Sequence, residues 1–283
     1  MAKPDLGRYG VFGVGAPTVE TAREIERLGY GAYWVAGSPA AELDWAEPLL
    51  EATDTLCLAT GIVNIWTADV SVVAGSFHRI DKAFPGRFLL GIGAGHPELN
   101  QEYRSPLGAL NEYLDVLDAH DVPADRRVIA AQGPKTLRLA AARSAGAHPY
   151  LTVPAHTSGA RELLGPGAFL APEHKALLTT DVERARAIGR RSFATSIQKT
   201  NYRSSWKRIG FTEADLAEGG SDRLTDAVVA HGTVEQVAAR LEEFHAAGAD
   251  HVPVQILTDD HDALDSLGEL ARALGLGEHR RTT

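Results

Sequence analysis

Residues 84–98 read FPGRFLLGIGAGHPE, where three alternating glycines, Gly91, Gly93 and Gly95, follow an apolar run and lead into His96. Glycines after a strand let the backbone approach a ligand closely. An imidazole at the end of such a turn can give or take a proton near neutral pH. The spacing is not the dinucleotide fingerprint. That signature is G-x-G-x-x-G at the first strand, with an acidic residue about 20 positions on. Here position 96 is histidine instead of the third fingerprint glycine, and the motif falls at the fourth apolar run.

A second stretch, AAQGPKTLRLAAARSAGA at 130–147, joins an apolar run to a good helix former. Gly133 permits a tight turn and Pro134 suits the first helical position. Backbone N–H groups left free at that start, with the helix dipole behind them, make an anion site to which Lys135 and Arg138 could add charge. A plain helix start fits the same residues equally well. His148 and His156, like His96, fall on or just past an apolar run, and other runs end at Gly37-Ser38-Pro39, Asn64-Ile65-Trp66 and Thr152. No His-x-x-x-His pair, Cys–His cluster or Gly-x-Ser-x-Gly elbow is present, which argues against a metal site and against the common serine hydrolases.

These residues need elements to position them. Near-continuous apolar runs, as expected of parallel strands covered on both faces, occur at 9–14, 32–36, 56–63, 87–92, 127–131, 147–152, 175–180 and 251–257. Helical stripes lie between them, with Val70, Val73, Ala74, Phe77, Ile80 and Phe84 on one and Val234, Val237, Ala238, Leu241 and Phe244 on another. Thr18 and Thr233 stand where N-caps belong. The pattern predicts a single α/β domain over 1–283, a (β/α)8 TIM barrel, with an open doubly wound sheet as the rival. A strandless helical insertion is expected between strands seven and eight, at about 181–232. In such a barrel the reactive residues lie at the C-terminal strand ends.

The 283 residues carry a formal net charge of −9, with 44% hydrophobic and 23% charged residues. That sign disfavours a general nucleic-acid or anionic-membrane binder. The lone cysteine, Cys57, reads as a small core hydrophobe. No apolar leader and no run long enough to span a membrane are visible, so a cytoplasmic location is expected.

Six segments taken in order resemble the luciferase-like oxidoreductases, and within them the branch that uses the deazaflavin coenzyme F420. They are TGIVNIW (60–66), FPGRFLLGIGAGHPE (84–98), VIAAQGPKTLRLAA (128–141), GAHPYLTVPAHT (146–157), GGSDRLTDAVVAHGT (219–233) and VEQVAARLEEFHAAGADHVPVQIL (234–257). The resemblance implies a cofactor at the barrel mouth and a non-prolyl cis peptide near Gly61-Ile62, with Val63 and Asn64 beside the ring. It implies that the backbone of Gln132 and Gly133, next to Pro134, holds the cofactor phosphate and that Thr152 adds a hydroxyl. Gly93, Ala94 and Gly95 would line the side chain, and Ser38, at the end of the second strand, would also contact the cofactor. Where sugar-phosphate dehydrogenase relatives have an Asp-His pair, this chain has Gly37-Ser38, and His96 replaces their acidic residue after the fourth strand.

The function expected is hydride transfer between F420 and a small organic substrate. His96 is the first choice for acid and base and His156 the second, with Asn64 orienting and Trp66 forming a wall. The alternatives are an FMN-dependent monooxygenase fed by a separate reductase, and a non-catalytic F420- or flavin-binding barrel. The oligoglutamate tail of F420 would favour cations such as Lys199, Arg203, Lys207 or Arg208, although a solvated helix face explains that group more simply. The resemblance also implies a homodimer.

Overall fold

The computed structural model describes residues 4–95, 105–258 and 263–277. The apolar runs form β1 (Tyr9–Val14), β2 (Ala32–Ala36), β3 (Cys57–Thr60), β4 (Val63–Asn64), β5 (Phe88–Gly93) and β6 (Arg127–Ile129). They continue as β7 (Gly146–Ala147), β8 (Phe169–Leu170), β9 (His174–Leu178), β10 (Val229–Gly232) and β11 (Val252–Ile256). Between them lie α1 (Val19–Arg27), α2 (Ala46–Glu51), α3 (Val70–Ala83), α4 (Pro106–Ala119), α5 (Pro134–Arg143) and α6 (Pro154–Leu164). The chain goes on through α7 (Val182–Phe193), α8 (Thr200–Arg208), α9 (Asp222–Val228), α10 (Val234–Ala246) and α11 (Ala263–Ala273). The Thr18 hydroxyl caps α1 by accepting from Thr21 N, and Thr233 with Gln236 forms a full capping box on α10.

The paired strands run parallel, and neighbours follow the order β1, β2, β3, β5, β6, β7, β8. The segment 169–178 then closes the ring. Its first half, β8, pairs with β7, and its second half, β9, pairs with β11, which returns to β1. Asp250 N, just before β11, also donates to Leu170 O at 2.9 Å. The barrel read from the sequence is borne out, with β8 and β9 together as one stave.

Several boundaries differ from the sequence reading. Pro172 breaks the seventh stave in two, and only its second half was legible as a run. The run at 147–152 leaves the ladder after Ala147, because Pro149 has no N–H to donate and Leu151 takes a left-handed φ of 53°. The run at 56–63 splits into β3 and β4 at Gly61-Ile62, where the peptide is cis. The inserted region was expected to hold no strand. It contributes β10, which pairs with the edge of β9 away from β11. The inserted helices share one apolar cluster with Leu151, Val153, Leu177 and Leu257, so they pack on the barrel mouth. Among the described residues no helix is long and apolar enough to cross a membrane, and Cys57 is buried in β3.

The glycines that follow the fourth apolar run each answer a close approach. A Cβ on Gly91 would lie 1.9 Å from the Thr60 carbonyl oxygen, and one on Gly93 would lie 2.9 Å from Ala130 Cβ. Gly95 takes φ 57°, and a Cβ there would meet Asn64 Nδ2 at 3.0 Å. Gly91→Ala is therefore expected to lower stability by about 3 kcal/mol, the upper end of ordinary overpacking. Gly75→Ala, on an exposed face of α3 with nothing within 4 Å, should raise it by up to about 1 kcal/mol. Urea denaturation midpoints check both.

Candidate active site

A cavity of about 500 Å³ opens at the C-terminal end of the barrel. Its floor is set by the end of β3. The Thr60 hydroxyl donates to Gly91 O at 2.7 Å and accepts from Gly91 N at 2.8 Å, which ends the regular β3–β5 ladder. The chain then passes through the cis Gly61-Ile62 peptide, and both residues line the cavity. Successive residues of a strand face opposite ways, so Val63 turns into the core, where it is fully buried, and Asn64 faces the cavity again.

Local hydrogen bonds fix Asn64. Its Oδ1 accepts from Trp66 N at 3.1 Å, which leaves the amide nitrogen toward Gly95. Trp66 Nε1 donates to Ala94 O at 2.5 Å, so the indole braces the Ala94–Gly95 turn from outside the cavity lining. Ala94 and Gly95 line the cavity, whereas Gly93 is buried between Ile62 and Ala130. Ser38, with φ 55°, lies on the opposite side after β2. His96, the first choice for acid and base, falls outside the described residues.

The other end of the cavity is built on α5. Gln132, Gly133 and Thr136 line it, and Pro134 occupies the first helical position. Gly133 is the N-cap and offers no side chain to the helix start, so the N–H groups of the first turn are left for another acceptor. Arg208, on α8, donates to Gln132 O at 3.4 Å and stands 3.9 Å from where a Cβ on Gly133 would be. It is the one Lys, Arg, Asp or Glu among the described lining residues. Arg203 and Lys207 instead face out and both bind Glu213. Lys199 is the N-cap residue of α8.

Three polar atoms near this end lack a protein partner among the described residues: Gln132 Oε1, Thr152 Oγ1 and His156 Nδ1. His156 Nε2 donates to Gln132 O at 3.0 Å. Burial holds the imidazole below its ordinary pKa, and Arg208 adds to the effect. His156 and Thr152 both lie behind Gln132 rather than on the cavity lining.

The sequence reading gave His148 and Tyr150 no role, and both line the cavity. His148 Nδ1 is 2.7 Å from Ala171 O, so it carries the proton, and Nε2 is left as an acceptor 3.3 Å from a Cβ built on Gly61. The ring stacks on Trp34 with centroids 4.3 Å apart. Burial pushes its pKa down to about 4. Tyr150 packs between Phe12 and Tyr202, with centroids 5.5 and 6.1 Å away. The only available signal for either residue was its place just past a strand; nothing in the spacing told its direction.

Comparison with known proteins agrees with this architecture. Residues 5–120 match the model of the luciferase-like monooxygenase family. No curated protein matches the chain in sequence. An F420-dependent secondary alcohol dehydrogenase, solved with an F420–acetone adduct, superposes with a TM-score of 0.74 at 16% identity, over 96% of this chain and 99% of that one. F420-dependent tetrahydromethanopterin reductase from Methanopyrus kandleri gives 0.67 at 14% identity, over 95% and 98%. An FMN-bound type II Baeyer–Villiger monooxygenase, the oxygenating constituent of 3,6-diketocamphane monooxygenase from the CAM plasmid of Pseudomonas putida, gives 0.64 at 14%, over 95% and 98%. The sequence match thus extends over residues 5–120 only, while the similarity of fold to these solved structures extends over nearly the whole chain.

The buried His148 has a pH consequence. Its folded pKa of about 4 lies below the value of about 6.5 expected in the unfolded chain, so the unfolded state takes up the proton first as pH falls. Stability contributed by the neutral ring is complete above pH ~6.5 and is lost toward pH ~4, by up to about 1.4 kcal/mol per pH unit. His148→Asn, which keeps a donor for Ala171 O, should flatten the measured stability–pH curve by that slope over this window.

Proposed function

We propose that the protein is a coenzyme F420-dependent oxidoreductase that transfers hydride between the deazaflavin and a small organic substrate. The observation that carries this reading is the pairing, within one cavity, of a flat floor at Gly61-Ile62 with an uncapped helix start and Arg208 at the far end. A planar ring system with a phosphate-bearing side chain needs both. Thr136 and the uncapped N–H groups of α5 stand at the phosphate end, and the missing Cβ at Gly95 leaves room for a chain to pass over Asn64. The residues present therefore fit the cofactor. F420-dependent enzymes are among the proteins whose fold this chain shares, with TM-scores of 0.74 and 0.67.

When bound, the deazaflavin supplies the hydride chemistry. The protein's own groups do the rest. Gly61 and Ile62 give the ring a surface, and Asn64 presents an amide N–H. His148 Nε2 is left as an acceptor beside Gly61, and Phe12, Tyr150 and Tyr202 exclude water. The N–H groups of Lys135 and Thr136, with Arg208, hold the phosphate. The proton at the substrate falls to one of this chain's own acid–base groups, for which His96 is the first expectation and His156 the second. The same reading includes the homodimeric assembly and cytoplasmic location implied at the outset.

The luciferase-like monooxygenase family match favours a second reading, an enzyme that uses reduced FMN. Fluorescence titration with F420 and with FMN separates the two, because the first predicts tighter F420 binding. Arg208→Ala should weaken cofactor binding about tenfold or more, the usual value of a charge-assisted hydrogen bond. Its loss should also reduce the salt dependence of binding. Tighter binding of FMN, or equal affinity in Arg208→Ala, contradicts the corresponding claim.

A further inference from the structure

Hydride transfer to or from a carbon bearing oxygen requires a proton to move at that oxygen. His156, the second choice for this task, is turned to Gln132 O and lies off the cavity lining. His148 lines the cavity, but its one proton is held by Ala171 O. Tyr150 also lines the cavity, and its hydroxyl donates to Gln255 Oε1 at 3.4 Å, a longer contact than the 2.7 Å that holds the His148 proton. Lys175 Nζ donates to its hydroxyl at 2.8 Å and also to Gln255 Oε1. Lys175 Nζ lies 4.9 Å from the centre of the Tyr150 ring and 3.7 Å from Glu173 Oε1. Lys175 and Glu173 are 1% and 0% exposed, so the barrel interior holds an ion pair directly behind a cavity wall.

We propose that Tyr150 is the catalytic acid and base for a carbonyl or alcohol substrate, with Lys175 as its proton partner and Glu173 as the charge that keeps Lys175 protonated. The inference rests on the oxidoreductase reading above. The charged and titratable groups around Tyr150 are Glu173 and Lys175 on the seventh stave and Tyr202 on α8. Gln255 on β11 and Phe12 on β1 are its uncharged neighbours. Burial drives Lys175 toward its neutral form and the Glu173 carboxyl toward its protonated form, and the charge of each opposes the shift of the other. Burial likewise raises the Tyr150 phenol, with Glu173 adding to it. The phenol therefore stays protonated until a stronger base forms beside it.

In the reducing direction a bound reduced deazaflavin would supply the hydride for the new C–H bond, and the carbonyl π pair would move to oxygen. The Tyr150 O–H bond breaks and its proton goes to that oxygen. The Tyr150 oxygen takes a proton from Lys175 Nζ, and the amine so formed regains one from water after product leaves. Alcohol oxidation would run the same proton steps in reverse, with a bound oxidised deazaflavin as the hydride acceptor.

The test uses the full-length protein and two readouts. One is oxidation of reduced F420 by cyclohexanone across pH. The other is the substrate-free pH titration of the Tyr150 ¹³C signal in protein labelled at tyrosine Cζ, assigned with Tyr150→Phe. Tyr150→Phe should bind F420 within about twofold of the native protein yet lose about 100-fold or more in kcat. Lys175→Met should shift one limb of the kcat profile and move the Tyr150 ¹³C titration, and Lys175→Arg should restore most of both. Native-like kcat in Tyr150→Phe overturns the proposal. An unchanged ¹³C titration in folded Lys175→Met also overturns it, whether or not the protein turns over. Failure of the native protein to bind F420 sinks the cofactor reading on which the proposal stands, and the ¹³C titration reports separately on the Tyr150–Lys175 partnership.

Discussion

The approach of Thr60 to Gly91 governs the shape of the mouth. A threonine hydroxyl takes over both hydrogen-bonding groups of Gly91, and its carbonyl oxygen occupies the space where any larger residue would put a Cβ. β3 therefore stops one residue before Gly61, and the chain turns across the barrel end instead of climbing past it. Ile62 and Asn64 reach the cavity because of that turn, and β4 re-pairs with β5 at Ile92 and Gly93 only after it. The glycines at 91, 93 and 95 are thus a backbone-packing device first. The surface they leave open is what a flat ligand would use.

A second asymmetry organises function. The described walls are apolar or neutral, and the single guanidinium stands at the end where α5 begins. Helix dipole and arginine reinforce one another there, and the remainder of the cavity offers a ligand little beyond shape, amide and imidazole contacts. Charge inside the barrel is instead kept behind the lining, in the Glu173–Lys175 pair. Burying such a pair is costly unless each member is compensated. Leu151 N compensates Glu173, and Tyr150 and Gln255 compensate Lys175.

The barrel was legible because its strands are continuous apolar runs and its helices carry clear stripes and caps. Staves interrupted by proline were not: Pro172 hid β8, and Pro149 made 147–152 read as longer than it is. Of the expected site, Ser38, Gly61, Ile62, Asn64, Ala94, Gly95, Gln132 and Gly133 line the cavity. Val63, Trp66, Gly93, Pro134, Thr152 and His156 support it from behind, because alternation along a strand and the turn after β6 point them away. Position after a strand identifies which loops meet at the mouth. The direction of a side chain depends on turns such as the one at Leu151, which carry no sequence signature. Lys175 and Glu173 could not be found by pattern, since a charged residue inside an apolar run reads as a strand edge.

The central claim is that the ring lies on the Gly61-Ile62 floor with its phosphate at the start of α5. A crystal structure of the protein with F420 tests this most directly. The account predicts the tricycle packed against Gly61-Ile62, and a phosphate oxygen within hydrogen-bond distance of Lys135 N or Thr136 N and of the Arg208 guanidinium. A phosphate bound away from α5, or a ring seated elsewhere than on the β3 end, would contradict it.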